Sequence, residues 1–221
     1  MKFTTASGQL ADEFNPFQAD YLAEILEAVA VAWSKMTKPK KRELEDQITF
    51  RLAGRLQNDQ TFSELPYDIV PQYWLLGING QRLGRLDLHF KHRQSKRDYF
   101  AWESKRLHVT YPGGSFGTEH SIYAGSEGMM AFVEGQYSKN LPAAGMLGYV
   151  MNGDTGKARE GLVKRIDERR DLLCLSVDSQ LSQSTLAHTV NKGMTGTWLG
   201  ETLHDLKTHS LRLFHMLLPV T

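Results

Sequence analysis

The chain has 221 residues, of which 41% are hydrophobic and 23% charged, a composition that excludes a disordered, collagen-like or disulfide-stapled protein. With 26 Lys and Arg residues against 25 Asp and Glu, the net charge is only +1, which excludes a histone-like basic binder but not a nucleic-acid enzyme with clustered basic residues. The single cysteine, Cys174, lies in an apolar run, so we expect a small core residue rather than a disulfide or a zinc ligand.

Two helices are predicted near the start of the chain. Pro16 follows an asparagine, a cap and first-turn signal for a helix that continues to about residue 34. Residues 35–42 break this helix, because they contain a proline and a cluster of positive charges that repel one another. Leucine and isoleucine then recur every four residues, which predicts a second helix over about residues 40–58.

The next segment changes from a helical period to the alternation of strands. Residues 73–78 are apolar, an Asn-Gly pair follows, and residues 82–90 alternate apolar and polar side chains. Such a pair between two strand-like runs is the strongest short signal for a hairpin, because both turn residues must accept positive φ. A polar cluster at 91–98 predicts a second reversal before a third strand over 99–109. The sequence therefore predicts a three-strand antiparallel meander.

After the meander the chain is predicted to alternate loops, helices and buried strands. Glycine-rich and polar stretches favour loops, and short apolar runs favour buried strands. The assignments are loops at 113–128 and 179–196, helices at 127–140, 154–170 and 201–209, and strands at 144–151, 172–177 and 210–220. Together with the meander they predict an α/β fold with a mixed β-sheet flanked by helices.

Three charged residues of the meander are predicted to share one patch. Residues i and i+2 of a strand point the same way, so Glu103 and Lys105 share a face of the third strand. Asp87 points away from its apolar neighbours Leu86 and Leu88, and the turn between the strands makes it a cross-strand neighbour of Glu103. Two adjacent carboxylates repel, which a hard cation such as Mg²⁺ or Mn²⁺ relieves. The lysine could orient or deprotonate a water, or neutralise a phosphate.

The acid-x-lysine spacing alone is weakly specific. About 1.5 matches are expected by chance in a chain of this composition, and two occur, at 103–105 and 205–207. The second match lies in a segment without a strand pattern or a partner acid, and we interpret it as a solvated helix face. The first match has the hairpin, the upstream Asp87 and the matching side-chain direction, and this context favours a site there.

These residues resemble the motif of the PD-(D/E)XK nuclease superfamily, whose members have the restriction-endonuclease-like fold. The resemblance covers about residues 40–151, where a helix, a meander, a second helix and a further strand follow in the family's order. It identifies Asp87 as the acid of the second strand, although Leu86 stands where the motif has proline. Glu103 and Lys105 match the motif's acid-x-lysine. The implied division is an N-terminal helical extension (1–37) and a nuclease-like domain (38–221) with a C-terminal elaboration (152–221).

The same resemblance implies accessory residues on the flanking helices. Many members carry an acid on the first core helix, a role that Glu45 fits and for which Glu43 and Asp46 compete. The sequence leaves the choice among these three open. Some members carry Gln and Tyr on the helix after the motif, which Gln136 and Tyr137 supply here in adjacent positions.

By this resemblance we expect a magnesium-dependent endonuclease that hydrolyses phosphodiester bonds, with DNA rather than RNA as its substrate. Mg²⁺, or Mn²⁺ in its place, would be held by Asp87, Glu103 and the backbone carbonyl of Ser104, and Lys105 would orient the attacking water. Basic residues before the first core helix and after the second strand are expected to bind phosphates without reading sequence. They are Lys40, Lys41, Arg42, Arg93, Lys96 and Arg97.

The expected setting is the cytoplasm. The N-terminal residues lack the apolar stretch of a signal peptide, and no segment has the roughly 18 apolar residues of a membrane span. A small nuclease without a recognition module is expected to act with an activating or targeting protein, in a bacterial genome-defence or DNA-processing system. Self-association stays open.

Two alternatives remain beside the nuclease. One is a catalytically silent nuclease-fold subunit that binds DNA or a protein partner. The other is a hydrolase that uses Asp87 and Glu103 as a general acid–base pair. We disfavour the second, because Lys105 should lower the pKa of a neighbouring carboxyl group. His89 shares the side-chain direction of Asp87, but we expect it at the surface.

Overall fold

The computed structural model describes residues 19–94, 99–137, 141–190 and 196–220. Its helices are α1 (Ala19–Lys35), α2 (Glu45–Gln57), α3 (Gln60–Glu64), α4 (His120–Tyr123), α5 (Met129–Val133), α6 (Thr155–Asp167) and α7 (Ala187–Val190). Its strands are β1 (Tyr67–Leu76), β2 (Arg82–His92), β3 (Tyr99–Leu107), β4 (Val109–Thr110), β5 (Phe116–Gly117), β6 (Ala143–Val150), β7 (Ser182–Gln183), β8 (Trp198–Asp205) and β9 (Ser210–Pro219). Within these ranges no helix is long and apolar enough to cross a membrane.

The described strands form a mixed seven-stranded sheet in the order β1-β2-β3-β6-β9-β8-β7. Strands β1, β2 and β3 pair antiparallel, which confirms the predicted meander. Strand β6 then lies parallel to both β3 and β9, and β8 and β7 continue the sheet antiparallel. Strands β4 and β5 form a separate pair. The predicted α/β class, a mixed sheet flanked by helices, is confirmed.

Helices cover both faces of the sheet. Helices α1, α2, α3 and α7 pack on one face, where Trp33 of α1 stacks on Tyr149 of β6 with 5.5 Å between ring centroids. Helices α4, α5 and α6 pack on the other. Strand β6 is central and buried along its length, and Gly145 leaves room there for the ring of Trp102 on β3, which an added Cβ would approach to 2.5 Å. The apolar face of α1 thus belongs to the main core.

The predicted helix at 201–209 is wrong, because residues 201–205 belong to strand β8, which pairs with β9, and residues 206–209 connect the two strands. Its alternation is hidden in the sequence, since the buried positions include the polar residues Thr202 and His204. The hydroxyl of Thr202 lies 2.8 Å from Nε2 of His204 and 2.9 Å from Nε2 of His215, so these groups satisfy one another inside the core.

The predicted strand at 172–177 is also wrong. The segment forms turns, in which only Leu175 makes an isolated bridge, and Leu172 is exposed. Cys174 is exposed rather than a core residue, and its φ of 50° is left-handed, a conformation that interrupts a strand.

Further boundaries differ from the sequence prediction, and the first strand spans Tyr67–Leu76 rather than beginning at residue 73. The second helix begins at Glu45, because the basic residues before it form a turn. The helix expected at 127–140 ends at Val133, and Gly135 follows it with a φ of 74°. The loops expected at 113–128 and 179–196 contain the short elements β5, α4, β7 and α7.

His89 is buried rather than exposed, since the ring of Tyr73 stacks on it at 4.2 Å.

Candidate active site

The candidate site lies where β2 and β3 part. Their ladder of paired residues ends at Leu88 and Trp102, so among the described strands none pairs with that edge of β3 beyond this point. Carboxylate oxygens accept the backbone hydrogen bonds that a pairing strand would otherwise accept. The backbone N–H of Ser104 donates to Asp87 at 2.8 Å, and that of Arg106 donates to Glu45 of α2 at 2.9 Å. Main-chain groups of β3 thereby fix two of the predicted acids.

Asp87 is held at a fault in the alternation of β2. Leu86 packs with the α4–α6 layer, whereas Leu88 packs with the α1–α3 layer, so the side-chain alternation slips at Asp87. The neighbouring strand is distorted at the same level, because Gln72 has a φ of 54°. The amide of Gln72 donates to one oxygen of Asp87 at 2.9 Å, and the hydroxyl of Ser104 donates to the other at 2.5 Å.

Lys105 lies between the other two acids. Its ammonium donates to Glu103 at 2.6 Å, to Glu45 at 3.2 Å and to the carbonyl of Ser104 at 2.8 Å. The side chains of Lys105 and Glu103 are 10% and 7% exposed, so this ion pair is shielded from solvent. Glu45 thus joins Glu103 and Lys105 in one cluster, and Asp87 is bound to Ser104, the residue between them.

The site contains more buried negative than positive charge. Burial raises the pKa of Glu103 well above its ordinary value, and the charge of Asp87 adds to this effect while Lys105 opposes it. Burial also raises the pKa of Glu45, against the pull of Lys105. Burial alone would lower the pKa of Lys105, but the surrounding carboxylates outweigh it and raise that pKa. Lys105 does lower the pKa of Glu103, as expected, but burial and the charge of Asp87 outweigh this effect, so the net shift is upward.

The structure distinguishes among the three candidate acids near the start of α2. Only Glu45 contacts Lys105. Glu43 instead accepts from Arg51 at 2.6 Å, and Asp46 lies 3.6 Å from Arg85.

Buried polar residues that sequence reasoning missed support the site from beneath. The hydroxyl of Thr49 lies 3.0 Å from those of both Ser104 and Tyr149, and all three residues are fully buried. One signal was available, since Thr49 lies one helical turn after Glu45 and therefore on the same side of α2. Gln72 gave a weaker signal, as a polar residue within an apolar strand.

The predicted phosphate-binding residues divide into three groups. Lys40, Lys41 and Arg42 are exposed in the turn that leads directly into α2 and Glu45. Arg93 lies six residues beyond Asp87, about 20 Å along the strand, and its guanidinium bonds Asp68 and two backbone carbonyls. Lys96 and Arg97 lie outside the described residues.

The two predicted accessory residues lie in different surroundings. The ring of Tyr137 packs on Gly84 of β2, and burial raises the pKa of Tyr137 to about 12, with the charge of Glu103 contributing. Tyr137 therefore borders the site. Gln136 is exposed and donates to Glu134 at 3.0 Å.

The carboxylate oxygens of the site fit the implied divalent cation only in part. Among the described residues, no three His, Cys, Asp or Glu side chains form a group that could hold a metal ion. However, Oε2 of Glu103 is buried with no hydrogen-bond partner in the part of the chain that the structure describes, and carboxylate oxygens are the ligands that Mg²⁺ prefers. Both oxygens of Asp87 are occupied by Gln72 and Ser104, so these residues fit a cation only if some of the present contacts are exchanged.

Comparisons with known proteins add no relative. No family model, no curated protein and no solved structure matches the chain.

Proposed function

We propose that the protein is a divalent-cation-dependent nuclease of the PD-(D/E)XK type that hydrolyses phosphodiester bonds of DNA. The observation that carries this proposal is the convergence of Glu103 and Glu45 on the single ammonium of Lys105, with a third acid, Asp87, bound to the neighbouring Ser104. Buried carboxylates in excess of their cations are costly unless a proton or a further cation compensates them. A site that needs additional positive charge is suited to a metal ion and a phosphate substrate.

The order of elements around the site supports the proposal. Helix α2, strands β1 to β3, the helices α4 and α5, and strand β6 follow one another, and β6 lies parallel to β3. This is the order of the restriction-endonuclease-like core. In that core the motif's acids lie on the second and third strands, as Asp87 and Glu103 do here.

Each residue has a role in this chemistry. A bound cation would neutralise phosphate charge and make a bound water more acidic, and Asp87, Glu103 and the carbonyl of Ser104 would hold it. Lys105, whose pKa is raised, would remain an ammonium and donate to the attacking water or to a phosphoryl oxygen as negative charge develops. The exposed residues Lys40 to Arg42 would bind flanking phosphates.

Two observations favour the alternatives. Both oxygens of Asp87 are occupied, and the ammonium of Lys105 bridges two of the acids, which suits a silent nuclease-fold subunit. The raised pKa of Glu103 suits a general acid in a hydrolase that needs no metal. Metal dependence separates the nuclease from both alternatives.

The deciding experiment is cleavage of plasmid, linear duplex and single-stranded DNA with Mg²⁺, Mn²⁺ or EDTA. The variant is Lys105→Met, and the matched control is Lys157→Met, which replaces an exposed lysine at the start of α6. We expect cutting that requires the metal, persists in the control and is lost in Lys105→Met. Equal cutting by all three proteins would mean that the site is wrong or that the preparation is contaminated.

If no protein cuts, the chain is either a nuclease that needs an activating partner absent from the assay or a catalytically silent subunit. Calorimetric titration with Mn²⁺ decides between them. The proteins are the wild type and the near-isosteric variants Asp87→Asn and Glu103→Gln. Binding that both variants abolish would favour a nuclease awaiting its protein partner. No binding by the wild type would refute a metal-dependent enzyme.

A further inference from the structure

The hairpin of β1 and β2 carries an exposed tryptophan flanked by two arginines. The guanidinium carbon of Arg82 lies 4.3 Å from the centroid of the Trp74 ring, and that of Arg85 lies 5.9 Å from it. Trp74 is 42% exposed, although tryptophan is highly buried on average. These three residues are named the hairpin patch.

The hairpin patch adjoins the candidate active site. Trp74 and Arg85 lie directly opposite each other in the β1–β2 ladder, so their side chains project from the same face. Arg85 lies two residues before Asp87, about 7 Å along the strand, and contacts Asp46, the neighbour of Glu45, at 3.6 Å. A nucleic-acid strand bound at the candidate site would therefore reach the hairpin patch within on the order of two nucleotides.

The charge of the hairpin patch suits a polyanion. Among the described residues Arg82 makes no ion pair. The ion pair of Arg85 with Asp46 has both side chains more than 40% exposed, and such pairs are weak. Arginine binds phosphate through its planar fork, and an indole ring stacks on any nucleobase. The exposed side chains of Leu76 and Ile78 would also fit a protein, but an apolar protein contact gives no reason for two like charges to meet at one ring.

We propose that the hairpin patch binds an unpaired nucleotide, with its base on Trp74 and its neighbouring phosphates on Arg82 and Arg85. This inference rests on the proposed nuclease function and gives it a substrate class, nucleic acid that is single-stranded or unpaired beside the cut. In a paired duplex the bases are stacked on one another, and a protein reaches a base face only after the base leaves the stack.

Binding is measured in EDTA by fluorescence anisotropy, which separates it from cleavage. The probes are a fluorescein-labelled oligothymidylate that covers a site of up to about 16 nucleotides and a blunt duplex of the same length. Trp74→Ala should weaken single-strand binding about tenfold or more, the equivalent of about 1.4 kcal/mol, and Trp74→Phe should retain most of it. Leu83→Ala, an exposed apolar residue of the same hairpin, is the matched control and should bind as the wild type does.

The contribution of Arg82 is tested through the salt dependence of binding. Arg82→Gln should reduce the slope of log affinity against log salt by about 0.7, the value for one phosphate contact on a single strand. An unchanged slope would remove Arg82 from the proposal and contradict it in this form.

Several outcomes would overturn the proposal. They are no single-strand binding by the wild type, equal binding by Trp74→Ala, and a duplex that binds as tightly as the single strand. Sedimentation is run in parallel, and a self-association that Trp74→Ala abolishes without changing oligonucleotide binding would identify a protein interface instead. Failure of the nuclease proposal has a different signature, in which binding depends on Trp74 but no metal supports cutting.

Discussion

Replacing Lys105 with methionine should destabilise the protein as well as inactivate it. The ammonium is 10% exposed and lies 2.6 Å from Glu103 and 3.2 Å from Glu45. Its removal leaves buried carboxylates without a cation, and breaking a buried pair in this way costs about 3–5 kcal/mol. Because small proteins are stable by about 5–15 kcal/mol, this loss is a large fraction of the free energy of unfolding, and Lys105→Met should unfold at a clearly lower urea concentration than the wild type.

Urea unfolding followed by circular dichroism measures this loss, and a double variant tests its cause. In Glu103→Gln with Lys105→Met, both partners are neutral and close in size, so most of the stability lost in the single variant should return. Both variants should be inactive. If the double variant regains stability but stays inactive, the loss of activity is not merely a result of unfolding. A loss below about 1 kcal/mol in Lys105→Met, typical of an exposed pair, or a double variant no more stable than the single one, would refute the electrostatic reasoning.

Three further predictions concern the metal, the core and pH. Mn²⁺ at 100 times its dissociation constant should stabilise the wild type by about 2.7 kcal/mol, but not Glu103→Gln, in thermal scans. Gly145→Ala should cost about 1–3 kcal/mol in urea unfolding, because its Cβ meets the Trp102 ring; a neutral change would contradict this packing. Burial lowers the pKa of His215 from 6.5 to about 3, so unfolding takes up a proton as pH falls below 6.5. The stability lost between pH 7 and pH 5 should therefore be about 2 kcal/mol smaller in His215→Gln than in the wild type, and equal losses would contradict it.

The sequence was most informative where one physical rule decides both structure and chemistry. The Asn-Gly turn and the alternation of 82–90 predicted the meander, and the two-residue period of a strand put Glu103 and Lys105 on one side. Asp87 was predicted to lie beside Glu103 because of the alternation of β2, but a different contact holds it at the site. The expected alternation does not continue through it, since β2 slips there and its carboxylate bonds the main chain of β3.

Contacts between distant segments explain most of what the sequence did not predict. Strand β8 has polar residues at buried positions, where Thr202 bonds both His204 of the same strand and His215 of β9. The choice of Glu45 over its two acidic neighbours depends on where α2 approaches β3, and no local pattern encodes that approach.

The segment 103–105 links the chemistry of the site to the core of the protein. Glu103 and Lys105 form the ion pair, while the hydroxyl of Ser104 between them donates to Asp87 and also meets Thr49 of α2. Thr49 also bonds Tyr149 of the central strand β6, so a fully buried hydroxyl chain connects the strand that carries the motif with two neighbouring elements. The position of the charged groups therefore depends on uncharged residues beneath them. Changes on the Thr49 side can move the acids without altering any charge, and rigid support of this kind is what a site that positions a phosphate requires.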